Sequence, residues 1–260
     1  MSSADPSFSS IKYVPTTEAY NRWAKVYDTD GNFLQALDNI EMQHLMPRFI
    51  SSIRSPKPWR MADLGCGTGR NTALLLIVED AHIAALDSSD GMLEVAKARL
   101  KEFNAETPAE ADAKSRSDVQ FELFDLLASS DPPAHAKDAD GIISTLVIEH
   151  IPLPAFFSKV TMMLKTDGVL LLTNMHSHMG GISQAGFVDP NTGEKIRPTS
   201  YAHTVEDVVA EAAKWGLELE GDRGMVERAV DDEMVGKLGP RSQKWVGITC
   251  WFGGLFRKKY

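Results

Sequence analysis

Residues 63–69 read Asp-Leu-Gly-Cys-Gly-Thr-Gly and stand between a short apolar run, residues 60–64, and a helix-forming stretch that begins near Asn71. Three glycines in five positions let a chain turn sharply at the end of a strand and bring its backbone close to a ligand. A Gly-x-Gly alone is weak evidence, but its place after a strand and before a helix makes it informative. A chain built on such a turn should continue as strand–helix alternation around a parallel sheet. The sequence does so. Residues 82–86 read as a second strand, 91–103 as an amphipathic helix, 119–124 as a third strand, 139–145 as a fourth, 154–164 as a helix and 169–173 as a fifth strand, with 104–117 a polar loop. The pattern predicts an α/β fold, doubly wound, with helices on both faces of a mainly parallel sheet.

Either side of this core the pattern changes. Residues 1–15 are Ser-rich and polar and read as a disordered tail. Residues 16–56 read as an N-terminal helical lid and substrate region. There Tyr20, Trp23 and Tyr27 share one helical face, and a second helix over about 33–53 should be bent or split at Pro47. Residues 57–260 form the main domain, interrupted at about 175–203 by a Gly- and Pro-containing excursion over the cleft whose Met175, Met179, Ile182 and Phe187 are candidates to line a pocket. A helix over 204–215 and strands at 217–221 and 245–252 complete the chain.

Composition narrows the function. The 260 residues carry a net charge of -9, which disfavours wrapping nucleic acid. Two cysteines, Cys66 and Cys250, imply no disulfide framework and no metal cluster. The N-terminus has no secretory pattern, and no apolar run approaches the ~18–20 residues of a spanning helix. The expected location is the cytoplasm, without membrane partners, as a monomer or homodimer.

Acidic residues recur at successive strand ends. Asp87 closes the second strand, where a carboxylate can grip both ribose hydroxyls. Asp125 closes the third, where it can accept from an adenine amino group. The turn is Gly-Cys-Gly-Thr-Gly rather than Gly-x-Gly-x-x-Gly, which favours a nucleoside lacking a pyrophosphate.

These motifs resemble the class I S-adenosylmethionine-dependent methyltransferases, most closely the group containing the quinone-biosynthesis C-methyltransferases and many small-molecule enzymes. Residues 63–69 match the family's first motif. Asp87, with Ser88 and Met92 beside it, matches its ribose-binding acid. Asp125-Leu126 matches the adenine-contacting segment, and residues 144–151, ending Glu149-His150-Ile151, match its fourth-strand segment. The resemblance covers about residues 20–175. It implies a seven-stranded, Rossmann-like sheet with an antiparallel pair at its end, S-adenosylmethionine as cofactor and S-adenosylhomocysteine as product. The cofactor-binding residues it implies, together with the aromatic face, are Tyr20, Trp23, Tyr27, Asp63, Gly65, Cys66, Gly67, Gly69, Asp87, Ser88, Met92, Asp125, Leu126 and Thr145. The Tyr20–Asp28 and Phe33–Ile53 regions look similar to fungal secondary-metabolism enzymes that S-methylate dithiols of the gliotoxin type.

The leading expectation is methyl transfer by in-line displacement to a thiol or dithiol sulfur of a small molecule. O- or C-methylation of a phenol or quinol is the alternative, and a nicotinamide-dependent oxidoreductase or a non-catalytic regulator stands in another class. A thiol needs little help from a base, a phenol more. His150 and His176, which follow the fourth and fifth strands, are the catalytic candidates, with His178 and His203 behind them. Glu149 reads as a solvated helix-start acid, with a cofactor contact as the alternative, Cys66 as a small turn residue, and residues 257–259 as a solvated basic tail.

Overall fold

The computed structural model describes residues 11–106 and 117–260. In chain order the elements are β1 (Ile11–Tyr13), α1 (Thr16–Trp23), α2 (Phe33–Ser52), β2 (Trp59–Leu64), α3 (Thr72–Leu75), β3 (Ala81–Asp87), α4 (Asp90–Glu106), β4 (Asp118–Leu123), β5 (Ala139–Thr145), α5 (Leu153–Met163), β6 (Leu164–Met175), α6 (Ser177–Ile182), β7 (Phe187–Val188), β8 (Lys195–Arg197), α7 (Val205–Lys214), β9 (Leu217–Leu219), β10 (Val226–Ala229), α8 (Asp232–Leu238) and β11 (Thr249–Lys258).

The main sheet runs β4-β3-β2-β5-β6-β11-β10. Its first five strands are parallel, and β11 is antiparallel to β6. The doubly wound α/β expectation holds. The sheet has eight strands rather than seven because the outer side of β11 is shared: β10 pairs with its first half and β9 with its end. Strands covered on both faces are apolar at nearly every position, and alternate residues serve opposite layers. Ile143, Leu171, Trp251 and Leu255 pack toward α2. Ile142, Leu170, Leu172, Phe252 and Phe256 pack toward α5 and α7.

Four local expectations change. Residues 11–13, inside the stretch read as a disordered tail, form β1, which pairs in parallel with β8; residues 1–10 lie outside the described residues, as do 107–116 of the polar loop. Helix α2 continues through Pro47, because its apolar side is packed on the sheet by Leu37, Met42, Leu45 and Phe49. Most of α2 is therefore a core layer rather than part of a lid. Asp38 anchors it, fully buried, by accepting from the Thr173 hydroxyl at 2.6 Å, the Trp251 indole at 2.9 Å and the Arg70 guanidinium at 2.6 Å. Finally, Arg257 is not in a solvated tail. It lies in β11, 2% exposed, and donates to both Glu220 carboxylate oxygens and to the Asp167 and Ser52 carbonyls.

The excursion after β6 folds back as β7–β8, which with β1 makes a small three-stranded sheet. Phe187 and Ile196 from it pack on Ala19 and Trp23 of α1, and the Phe187 and Trp23 rings stack at 4.9 Å. The N-terminal segment and the excursion thus form one cover over the carboxyl edge of the parallel strands.

Candidate active site

The parallel strands order as β3-β2-β5-β6, so the connections leave in opposite directions on the two sides of β2 and β5. A crevice forms outside the strand ends at such a switch point. One cavity opens there, lined by Gly65 and Gly67 after β2, Asp87 and Ser88 after β3, Met92 from α4, Phe124, Asp125 and Leu126 after β4, and Thr145 at the end of β5; Thr16, Tyr20 and Tyr27 close it from the cover.

The glycine turn is shaped by packing. Gly65 has φ +77, and a Cβ there would be driven into the Val147 side chain. Gly69 has φ +78, and a Cβ would press on Ala96 of α4 at 3.0 Å. Gly67, at φ +52, has no protein atom within 4 Å of where its Cβ would stand. That free space faces the cavity, so a ligand can approach the Gly67 backbone. Asp87 braces the same turn: its Oδ2 accepts from the Gly67 N–H and its Oδ1 from the Ser89 N–H, both at 2.8 Å. Burial raises its pKa to about 6 against these donors. Asp125 Oδ1 accepts from the Leu127 and Ala128 N–H groups, which holds the side chain at the strand end.

Three residues of the expected cofactor set support the turn without lining this cavity. Asp63 is buried and accepts from the Thr72 hydroxyl at 2.6 Å, with burial raising its pKa to about 7. Cys66 packs against Ala85 and Leu93, and burial pushes its thiol well above the usual range. Gly69 faces α4. Trp23 lines a neighbouring cavity instead, with its indole N–H donating to Asp30 Oδ2 at 2.9 Å.

That second cavity adjoins the first across Tyr20, Tyr27 and Leu146. Its walls are mixed: Trp23, Phe33, Leu34, Met175, Met179 and Trp245 are aromatic or apolar, while Asp30, Asn32, Glu149, Gln184, Arg241 and Lys244 bring polar and charged groups. Of the excursion residues expected at a pocket, Met175 and Met179 line it, Phe187 packs under the cover, and Ile182 is 60% exposed. Leu146, between the cavities, has φ +57, a conformation that costs a bulky residue about 1–3 kcal/mol. It is held there by its N–H donating to the Thr173 carbonyl at 2.9 Å.

The candidate bases part company. The His150 ring is buried in the first cavity's wall. Its Nδ1 lies 2.6 Å from the Thr199 carbonyl, which only an N–H can satisfy, so Nε2 accepts from the Tyr20 hydroxyl at 2.8 Å. Desolvation lowers its pKa to about 4. His176 lines neither cavity: Nδ1 caps α6 by accepting from the His178 N–H, and Nε2 donates to Glu227 at 2.9 Å. His178 is exposed, and His203 Nε2 donates to the Ile151 carbonyl at 3.0 Å. Glu149 is 3% exposed, not solvated as read from the sequence, because the turn after β5 folds inward beneath the cover. Arg241, Lys244 and Trp245 carry no signal in the sequence; they reach the cavity only because the chain between α8 and β11 folds against α2. Among the described residues no cluster of three or more His, Cys, Asp or Glu side chains is placed to hold a metal ion, and no helix is long and apolar enough to cross a membrane.

Comparison with known proteins agrees with this geometry. Residues 62–172 match the model of the methyltransferase domain family. An uncharacterised methyltransferase of Emericella nidulans is 47% identical over 264 residues, spanning 94% of this chain and 91% of that protein. Among solved structures, DhpI bound to S-adenosylhomocysteine shares the fold at TM-score 0.60 and 16% identity, over 94% of this chain and 95% of that one. Magnesium protoporphyrin IX methyltransferase of Synechocystis, also with S-adenosylhomocysteine bound, aligns at TM-score 0.56 and 14% identity, over 93% and 95%. The chain belongs to the methyltransferase family. The nicotinamide-dependent reading falls with that.

Proposed function

We propose that the first cavity holds S-adenosylmethionine and the second a small-molecule acceptor, with a thiol or dithiol sulfur as the leading target. The observation that carries this reading is that the two cavities meet at Tyr20, Tyr27 and Leu146. When bound, the cofactor supplies a methyl carbon activated by its sulfonium. Everything else asked of the chain is positioning and exclusion of water.

Asp87 is placed to accept from ribose hydroxyls with the lone pairs its backbone donors leave free. Asp125 has Oδ2 available to an adenine amino group, with Leu126, Phe124 and Met92 as apolar contacts. Gly65, Gly67 and Thr145 present backbone and hydroxyl groups to the amino-acid end, while Asp63, Cys66 and Gly69 keep the turn in shape. Tyr20 and Tyr27 offer aromatic faces to a cationic sulfur, each worth about 0.5–2 kcal/mol. α1 acts as the lid, and His150, neutral and doubly bonded, positions Tyr20.

The sulfur reading rests on the methionine and aromatic side chains of the acceptor cavity, Met175, Met179, Trp23 and Trp245, which suit a soft, weakly hydrated nucleophile. Phenol or quinol acceptors remain the second reading. The cysteines, both free and buried, suit a reducing, cytoplasmic setting. A screen of thiols, catechols, quinols and amines with S-adenosylmethionine, read by mass, tests the proposal. Thiols should gain methyl groups fastest. Binding of the cofactor with methylation confined to the oxygen, carbon or nitrogen acceptors would reassign the target atom.

A further inference from the structure

The Glu149 carboxyl is a buried ionisable group that neither the fold nor the cofactor reading uses. It stands in the turn directly after β5, four residues past Thr145 of the cofactor cavity, and it faces the acceptor cavity. Its backbone is tied on both sides: the N–H donates to Asn174 Oδ1 at 3.3 Å, and the carbonyl accepts from the Tyr201 N–H at 2.6 Å. Its carboxylate is not tied. Oε2 is buried with no hydrogen-bond partner, and Oε1 lies 3.9 Å from His150 Nε2, a nitrogen already occupied by the Tyr20 hydroxyl.

The cations nearby do not neutralise it. Arg241 donates to the Asp30 carbonyl at 2.6 Å and approaches the Asp30 carboxylate, and Lys244 lies over the Trp245 ring. A buried carboxyl left without a partner costs stability, so a fold gains nothing by keeping one there. Among the described residues of this wall, Oε2 is the one buried acceptor left without a partner, and a turn of the carboxyl about its Cγ–Cδ bond would offer it to the X–H group of an acceptor in the cavity.

We infer that Glu149 is the proton acceptor of the methyl-transfer reaction, receiving the proton of the nucleophilic S–H or O–H of a neutral acceptor bound against Tyr20, Trp23 and Trp245. The inference rests on the two-cavity reading above and deepens it. In balance, the acceptor X–H bond breaks with its proton passing to the Glu149 carboxylate. The X electron pair forms the new bond to the methyl carbon, and the pair of the broken S–CH3 bond stays on the cofactor sulfur, which becomes neutral. The positive charge lost at sulfur is matched by the negative charge lost at Glu149. Water carries the proton away after product leaves.

Burial supports this role. It raises the Glu149 pKa to about 8, with the Asp38 carboxylate adding to the effect. Such a group is a competent base near neutrality. The other titratable groups facing it are His150 on its own turn, Tyr20 from α1, Tyr27 after it, Asp38 from α2, and Asp30, Arg241 and Lys244 at the cavity's mouth.

The test compares wild type, Glu149→Gln and Glu149→Asp on aliphatic thiols, which are protonated at neutral pH, and on nitro-substituted thiophenols, which are ionised. Calorimetric binding of S-adenosylhomocysteine checks that each variant is folded. In Glu149→Gln, kcat at pH 7.5 on aliphatic thiols should fall about 10²-fold or more, with KM within a few-fold and product affinity unchanged. The ionised thiophenols should lose little, and Glu149→Asp should recover part of the rate. The wild-type rate should rise with pH through about 8, whereas in Glu149→Gln the rise should shift upward to the ionisation of the thiol itself. Independently of turnover, the wild-type infrared band of a protonated carboxyl at pH 6 should be reduced in Glu149→Gln. Equal losses on both thiol classes, a change in KM alone, or an unaltered pH profile would overturn the inference while leaving the function standing. Wild type that binds cofactor but methylates no thiol, catechol, quinol or amine would remove the acceptor reading and this inference with it.

Discussion

The Tyr20 hydroxyl donates to His150 Nε2 across 2.8 Å, and so joins the covering helix α1 to the turn after β5. The opposite nitrogen of the same ring binds the Thr199 carbonyl, just before α7. One neutral imidazole therefore ties three separate segments around the cofactor cavity, and its tautomer is set by the carbonyl it serves.

Tyr20→Phe removes the donor and leaves Nε2 buried and unpaired. The loss in stability should be about 1–2 kcal/mol, read by chemical denaturation. The cover should also loosen, and S-adenosylhomocysteine should dissociate faster in stopped-flow displacement. An unchanged dissociation rate would show that α1 does not act as a lid.

Gly65 and Gly67 should fail in different ways when changed to alanine. At Gly65 the new methyl collides with Val147, so the variant should be destabilised by more than 2 kcal/mol. At Gly67 no protein atom obstructs it; only the left-handed backbone is penalised, by roughly 1 kcal/mol. Gly67→Ala should stay folded by circular dichroism yet bind cofactor at least tenfold more weakly in calorimetry.

Asp87 combines a fold role and a ligand role. Asp87→Asn keeps the shape and one oxygen but loses the charge, so one backbone donor and the ribose hydroxyls lose charge-assisted bonds of about 1.5–3 kcal/mol each. Cofactor affinity should fall ten- to a thousandfold, while the unfolding midpoint drops only modestly. Unaltered affinity would take Asp87 out of the cofactor site.

Stability should depend on pH in two opposing windows. Glu149, raised from 4.5 to about 8, stays protonated in the fold after the unfolded chain has lost its proton. Its contribution is full below about 4.5 and is lost as pH rises toward 8, at about 1.4 kcal/mol per unit. Asp63 and Asp87 act in the same direction over narrower ranges. His150, lowered from 6.5 to about 4, contributes above 6.5 and is lost as pH falls toward 4. Unfolding of the cofactor-free protein should therefore be flatter between pH 5 and 8 in Glu149→Gln than in wild type. Parallel curves would place the Glu149 carboxyl in an ordinary, solvated range.

What the sequence alone determined is the scaffold and the glycine turn that lines the proposed cofactor cavity. The glycine turn at 63–69, the acids at the ends of β3 and β4, and the short apolar centres of β5 (Ile142-Ile143) and β6 (residues 169–172) are local features. Each encodes its structure through backbone freedom or hydrophobic periodicity, and both are read directly from consecutive residues. Even there the side chains had to be sorted: Asp63 and Cys66 belong to the same motif as Gly65 and Gly67, yet they point into the body.

Only the tertiary structure decided the acceptor's end. Glu149 and His150 are adjacent in sequence, but one is turned to the acceptor cavity with a free oxygen and the other is held between Tyr20 and Thr199. Arg241 and Trp245 come to the same cavity from about two hundred residues beyond Trp23. The Arg257 side chain, basic and near the chain's end, is drawn into the core because Glu220, Asp167 and Ser52 offer it partners there. Burial and the presence of a partner are properties of the packed molecule, and they convert one pair of residue types into a base candidate and a structural tie.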